Sequence, residues 1–265
     1  MGLSENQKGQ IASLLSEKIQ SKLIRYTRES TSMPFLAKLM QNAEQVAAYS
    51  FIHSLSTTLG MSIYEQISKI IASEYSDECH TQYDIGGLIS ENQKTTIDGI
   101  LRELRNGERQ SNIVRETEDV LGASSANGKT QNEGKIADLY MVRDGIEHYF
   151  EIKTVKPNID VFAKSKAKLL EWVARRNKKI KVYIAFPYNP YHPQPYERFT
   201  MQGLLTTGSD LLIGEGYWDF LGGENTFEEL LILFDTIGNT FKDRIASKIK
   251  EVANLRMNIE TNPDN

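Results

Sequence analysis

Two acidic residues and a lysine in the stretch 136–153 have a spacing that could support metal-dependent chemistry. The dipeptide Asp144-Gly145 is typical of the two-residue turn that closes a β-hairpin. If it forms that turn, counting outward along the two strands places Asp138 directly opposite Glu151. Because side chains alternate along a strand, Glu151 and Lys153 then share a face with Asp138.

Two carboxylates opposite each other in a sheet repel, so their presence needs a reason. At a separation of roughly 5 Å, they suit a hard divalent cation, which prefers oxygen ligands. The alternative is a solvated sheet face, since Asp, Glu and Lys are common surface residues. The opposite face of the hairpin is apolar and is predicted to be core, and this favours the metal site. Its residues are Ala137, Leu139, Met141, Phe150 and Ile152.

Length and composition indicate a globular protein. The chain has 265 residues, of which 40% are hydrophobic and 25% charged, and we expect a single domain spanning 1–265. The single cysteine, Cys79, excludes an intrachain disulfide framework and fits a reducing cytoplasm. The N-terminus lacks the features of a signal peptide, and no apolar run has the length of a membrane span.

The net charge of −4 is unevenly distributed along the chain. The segment 153–181 contains ten Lys and Arg residues against Asp160 and Glu171, which gives it a net charge of +8. A local basic stripe on an otherwise acidic protein predicts contact with a polyanion. The alternative is a solvated helix face.

The order of predicted elements indicates an α/β fold with a small mixed sheet and a mainly helical N-terminal half. Hydrophobic spacing and turn residues divide the chain into a helical part, a core, a C-terminal helix and a polar tail. The boundaries are 1–122, 123–220, 221–257 and 258–265. Within these parts we predict a helix over 35–58, a loop that could include a short strand over 77–90, a hairpin over 135–155, a helix over 159–177 and strands over 181–186 and 211–213.

An Asp and a Glu-x-Lys on adjacent strands, followed by a helix and a further strand, resemble the PD-(D/E)XK nuclease fold and its type II restriction endonucleases. The segments EIKTVKPNIDVF, LLEWVARRNKKI and AFPYNPYHPQPYERF are most similar to the TdeIII family. Ala137 stands where many superfamily members have proline, a position that carries no chemistry. The resemblance therefore implies a restriction-endonuclease-like PD-(D/E)XK core.

The resemblance also implies hydrolysis of phosphodiester bonds in double-stranded DNA by a homodimer that uses Mg²⁺. Asp138, Glu151 and the backbone carbonyl of Ile152 would bind the metal. Lys153 would position or deprotonate a water molecule, or stabilise the developing charge. Glu65 is the candidate for an additional catalytic acid from an N-terminal helix, and an exposed helix residue is the alternative.

DNA contacts are expected from the basic segment and from the proline-rich segment 187–199. The candidates are Lys156, Lys164, Lys168, Arg175, Arg176, Asn189, His192, Gln194 and Arg198. The tyrosines and prolines of 187–199 could instead cap the core. Similar family members read the palindrome GGNCC, and a cognate DNA methyltransferase is expected in the same system. The alternative functions are a DNA-binding protein without cleavage activity and a repair or junction nuclease.

Overall fold

The computed structural model describes residues 2–26, 34–129, 134–153, 158–197 and 203–261, which form two compact units. The first unit comprises Met1–Leu3 and Tyr64–Phe227, and the second comprises Ser4–Ile63 and Glu228–Asn265. A buried hydrophobic cluster lies in each unit. No described helix is long and apolar enough to cross a membrane.

A five-stranded mixed sheet is the centre of the first unit. Its strands are, in spatial order, β1 (Glu78–Asp84), β4 (Ile136–Arg143), β5 (Ile146–Ile152), β6 (Lys181–Phe186) and β7 (Leu211–Ile213). The first three are antiparallel, and β5, β6 and β7 are parallel. A separate short pair joins β2 (Ile89–Ser90) to β3 (Gly128–Lys129). The predicted mixed sheet is confirmed, and the short strand considered within the loop at 77–90 is present as the seven-residue edge strand β1.

The hairpin register follows the sequence prediction. Asp144 and Gly145 have φ angles of 53° and 71°, the left-handed conformations that this turn type requires. The pairs run from Arg143 with Ile146 to Leu139 with Phe150. The register places the two carboxylates at the open end of the hairpin.

Five helices pack around this sheet. They are α4 (Tyr64–Ser73), α5 (Glu91–Asn106), α6 (Ile113–Gly122), α7 (Ile159–Arg176) and α8 (Glu215–Gly222). The face predicted to be core is buried, with Leu139, Met141 and Phe150 inaccessible to solvent. The face that carries Asp138 is also packed, because Tyr140 and Tyr149 are buried in one cluster with α7.

The direction of α7 decides which of its basic residues lie near the carboxylates. Asn158 caps the helix by accepting a hydrogen bond from the N–H of Val161 at 2.9 Å. Because α7 connects the parallel strands β5 and β6, it runs back from the C-terminal end of β5. Its middle, at Lys168, therefore contacts Glu151, and Arg176 at its end lies beside Glu147 at the other end of the strand.

The second unit is helical. It contains α1 (Glu5–Arg25), α2 (Pro34–Met40), α3 (Ala43–Thr58), a π-helical turn (Leu59–Ile63) and most of α9 (Thr226–Thr261). The single helix expected over 35–58 is divided in two, because the Asn42 side chain accepts from the N–H of Gln45 and starts α3 anew. Helix α9 continues to Thr261, past the expected start of the polar tail at 258, since residues 258–262 contain neither proline nor glycine.

Candidate active site

Asp138 lies where the regular pairing of β4 with β5 stops. Its Oδ2 accepts a hydrogen bond from the backbone N–H of Ile152 at 2.7 Å. This bond follows directly after the Leu139–Phe150 pair and fixes the carboxylate beside Glu151. The sequence prediction that these acids come together is consistent with this placement.

Glu151 lies beneath α7 and is only 3% exposed. Its Oε1 contacts Nζ of Lys153, and its Oε2 contacts Nζ of Lys168. The backbone N–H of Lys153 donates to the carbonyl of Ala185 at 2.9 Å, which continues the β5–β6 pairing and fixes the start of this side chain. One buried carboxylate therefore bridges two ammonium groups, one from the strand end and one from the helix.

The electrostatics of the site are dominated by burial and by like charges. Burial and then the charge of Glu151 raise the pKa of Asp138 to about 6. The hydrogen bond from the Ile152 N–H and the charge of Lys168 oppose this shift, and Glu65 adds to it. Ionised Asp138 is therefore unfavourable here, and a cation between the acids would relieve that cost.

Glu65 is in the first turn of α4 and interacts electrostatically with the other two acids. Burial raises the pKa of its carboxyl, the hydrogen bond from Gln82 opposes this, and the charge of Glu151 adds to it. Helix α4 is anchored one turn later, where the Ser68 and Tyr217 hydroxyls are 2.7 Å apart. Glu65 is thus held near the carboxylate pair.

Gln82 is a site residue that sequence reasoning missed. It lies in β1, opposite Asp138, between two regular pairs of β1 with β4. Its φ is 52°, a conformation that non-glycine residues rarely adopt. Its Nε2 donates to Oε2 of Glu65 at 2.8 Å. Nothing in the sequence around Gln82 signals this irregular strand conformation.

The donor set fits Mg²⁺, although the described residues contain no group of three or more His, Cys, Asp or Glu side chains arranged to hold a metal. Mg²⁺ commonly binds proteins through one or two carboxylates and keeps several water molecules. Asp138 and Glu151 offer such a pair, and burial, followed by the charge of Glu151, raises the pKa of Asp138. These two residues would hold the ion.

The basic stripe at 153–181 does not form one surface. Lys164 is exposed, and Lys168 contacts Glu151. Arg175 is only 5% exposed, with its Nη1 donating to the Gly86 carbonyl at 3.3 Å, which makes it unsuitable for the DNA contact expected of it. Arg176 forms a two-bond ion pair with Glu147, at 2.9 and 2.7 Å.

Lys166, in the middle of the stripe, is completely buried. Its Nζ lies 2.5 Å from Oε2 of Glu116 and 2.5 Å from Oδ2 of Asp210, and it donates to the Ser111 hydroxyl at 3.2 Å. A residue that belongs to a basic surface by sequence is therefore the centre of a buried charge cluster.

In the proline-rich segment, the structure describes residues up to 197. The Asn189 side chain donates to the Gln194 carbonyl at 2.8 Å and accepts from the Tyr191 N–H at 2.9 Å, so it stabilises the loop itself. Tyr196 is buried against Phe186, as expected of a residue that caps the core. The side chains of His192 and Gln194 are exposed. Lys156 and Arg198 lie outside the described residues.

Comparisons with known proteins identify relatives of the chain. The chain is 31% identical over 212 residues to the type II restriction enzyme MjaII of Methanocaldococcus jannaschii, a match that covers 73% of this chain and 56% of MjaII. It is 27% identical over 238 residues to the type II restriction enzyme HgiCII of Herpetosiphon aurantiacus, covering 87% of this chain and 86% of HgiCII. No solved structure matches the chain.

The family model described as type II restriction endonuclease, HinfI, matches residues 3–238. This match includes all the described residues of the carboxylate–lysine site. The expected relationship to type II restriction endonucleases is confirmed. The family whose model matches is HinfI, whereas the sequence motifs had suggested TdeIII. The chain belongs to the HinfI family of type II restriction endonucleases.

Proposed function

We propose that this protein is a site-specific deoxyribonuclease that hydrolyses phosphodiester bonds in double-stranded DNA with Mg²⁺. The observation that carries the proposal is the group Asp138, Glu151 and Lys153 at one end of the sheet. Family membership supports the same reaction class. Burial and mutual repulsion of the acids support a requirement for a cation.

Asp138 and Glu151 are the proposed Mg²⁺ ligands, with the backbone carbonyl of Ile152 completing the set. When bound, Mg²⁺ polarises a phosphoryl oxygen and lowers the pKa of a bound water molecule. The Lys153 side chain is 34% exposed, which leaves its ammonium group accessible to a substrate phosphate. From there it can orient the attacking water or stabilise negative charge on the phosphate. Glu65 is the proposed additional acid.

For DNA binding we propose that Lys164 contacts phosphates and that His192 and Gln194 face the bases. Their exposure supports this assignment. Lys156 and Arg198 stay candidates on sequence grounds. Arg176 is a weaker candidate, because a phosphate would have to replace its bidentate Glu147 partner. The palindrome GGNCC, suggested by the TdeIII resemblance, is the proposed target, and a cognate methyltransferase would protect it.

We also propose that the enzyme is a homodimer, since a palindromic duplex presents two equivalent scissile phosphates related by a two-fold axis. Two neighbouring apolar side chains on α9 support a dimer because they are exposed in the single chain. The exposed fraction is 49% for Leu231 and 64% for Ile232. Leu230, which precedes them, is buried, so α9 carries both buried and exposed apolar side chains here.

Incubation of the purified protein with unmethylated plasmid DNA and Mg²⁺ tests the proposal. Discrete fragments with identical end sequences are expected, and sequencing the ends gives the site and the stagger. Intact DNA with a retarded electrophoretic band would instead identify a binding protein. A smear, or cleavage only at branched DNA, would identify a nonspecific or junction nuclease.

A further inference from the structure

Lys168 has a place in the site that its position in a basic stripe does not explain. It lies on α7, and its Nζ contacts Oε2 of Glu151. The side chain is 22% exposed, less than that of Lys153. It is therefore directed inward at a buried carboxylate instead of outward at a surface phosphate.

Both carboxylate oxygens of Glu151 are engaged by ammonium groups. Lys153 takes Oε1 and Lys168 takes Oε2. A divalent cation that binds Glu151 needs at least one of these oxygens. A bound cation would therefore lie next to one of the two ammonium groups and repel it.

Lys168 has a second favourable contact besides the ion pair with Glu151. Its Nζ lies 5.3 Å from the centroid of the Trp172 ring, within the range of a cation–π interaction. Trp172 is fully buried, and its Nε1 donates to the Gly134 carbonyl at 2.7 Å. Gly134 has a φ of 70°, and a Cβ there would lie 2.9 Å from Oε2 of Glu171. The aromatic face next to Lys168 is therefore held in place by close packing.

The acid nearest to Lys168 on its own helix has another partner. Glu171 forms an ion pair with Lys94, whose Nζ lies 2.7 Å from its Oε1. The carboxylate that Lys168 contacts is therefore that of Glu151.

We propose that Lys168 is a positioning residue that acts through Glu151. Its ammonium group holds the Glu151 carboxylate in place and competes with the divalent cation for Oε2, and it keeps its contact with the Trp172 ring when the cation binds. This inference depends on the proposed metal site. It predicts that the positive charge of Lys168 weakens metal binding, which no surface phosphate contact would do.

The test measures Mn²⁺ binding to the full-length protein without DNA, from the electron paramagnetic resonance signal of free Mn²⁺. Lys168→Met removes the charge and keeps most of the length, and it is expected to tighten Mn²⁺ binding by about threefold or more. Lys168→Arg keeps the charge and should bind Mn²⁺ like the unchanged protein. Lys179→Met, at a lysine whose side chain is 76% exposed and pairs with Glu118, is the control and should have no effect.

Unchanged or weaker Mn²⁺ binding by a folded Lys168→Met variant would overturn the role of Lys168 alone. Lys168→Gln provides a second neutral variant. If neither neutral variant folds, as judged by circular dichroism, Lys168 is a folding residue and the proposal is wrong. If the unchanged protein binds no Mn²⁺, the proposed metal site fails together with it.

Discussion

Asp138 and Glu151 are neighbouring acids at the end of one hairpin, and burial together with the charge of Glu151 raises the pKa of Asp138 to about 6. In the proposed metal site, ionising Asp138 is unfavourable as long as no cation is bound. The same hairpin is buried on both faces. The repulsion between Asp138 and Glu151 therefore lies at the open end of the hairpin, where we propose that the metal binds.

Asp138→Asn should abolish cleavage and stabilise the protein in the presence of EDTA. Because the folded-state pKa is raised, the folded protein loses stability relative to the unfolded chain as pH rises from about 4 to about 6. Above pH 6 the ionised carboxylate costs about 1–3 kcal/mol, which asparagine avoids. Urea unfolding at pH 5 and pH 8 measures this, and equal unfolding curves at pH 8 would contradict the assignment.

Lys153→Ala should still bind DNA and cleave it at least ~100-fold more slowly, the scale of a lost acid–base group. Single-turnover cleavage of prebound DNA separates the chemical step from binding. Lys164→Ala, with an exposed lysine, is the matched control and should cleave bound DNA at the normal rate. A normal cleavage rate with collapsed binding would make Lys153 a phosphate contact instead.

Local signals in the sequence predicted the hairpin that carries Asp138 and Glu151, because the turn and the strand alternation are encoded by neighbouring residues. They failed for the basic stripe, where Lys164 and Lys166 look alike but only Lys164 is exposed. The partners that bury Lys166 are Glu116 and Asp210, which are distant in the chain. The contact of Lys168 with Glu151 could not be predicted either, because it depends on how α7 crosses the sheet.

Lys166→Met should destabilise the first unit by about 3–5 kcal/mol, since it leaves two buried carboxylates without their cation. Urea unfolding measures the loss, with Lys164→Met as the exposed control on the same helix. A triple replacement of Lys164, Lys166 and Lys168 would therefore report on folding and not on DNA binding. An unchanged midpoint for Lys166→Met would mean that the buried cluster contributes nothing to stability.

His148 should make the protein less stable as pH falls. Its ring is buried against Tyr183 and Phe220, and its Nδ1 has no hydrogen-bond partner in the described part of the chain. Burial and then the charge of Arg143 lower its pKa to about 4. As pH falls, His148 therefore binds a proton in the unfolded chain before it does so in the folded protein. The free energy of unfolding falls by up to about 3 kcal/mol between pH 6.5 and pH 4.

His148→Phe keeps the ring packing and removes the titration, so its stability should depend less on pH over that interval. Asp138 contributes in the opposite direction in part of the same range. The comparison is therefore best made in the Asp138→Asn background. A variant that loses as much stability as its parent between pH 6.5 and pH 4 would exclude His148 as the source.

Replacing Leu231 and Ile232 together by glutamate should convert the proposed dimer into a monomer. Each chain has a mass of 30.1 kDa, and light scattering should give about 60 kDa for the unchanged protein. Both side chains are exposed on α9, so the charges should leave the fold of the isolated chain intact. Asn239→Glu, another exposed position on α9, should stay dimeric.

Because one active site cuts one strand, the monomer should nick plasmid DNA before linearising it. An unchanged protein of about 30 kDa that cuts both strands at once would contradict both the dimer and this surface.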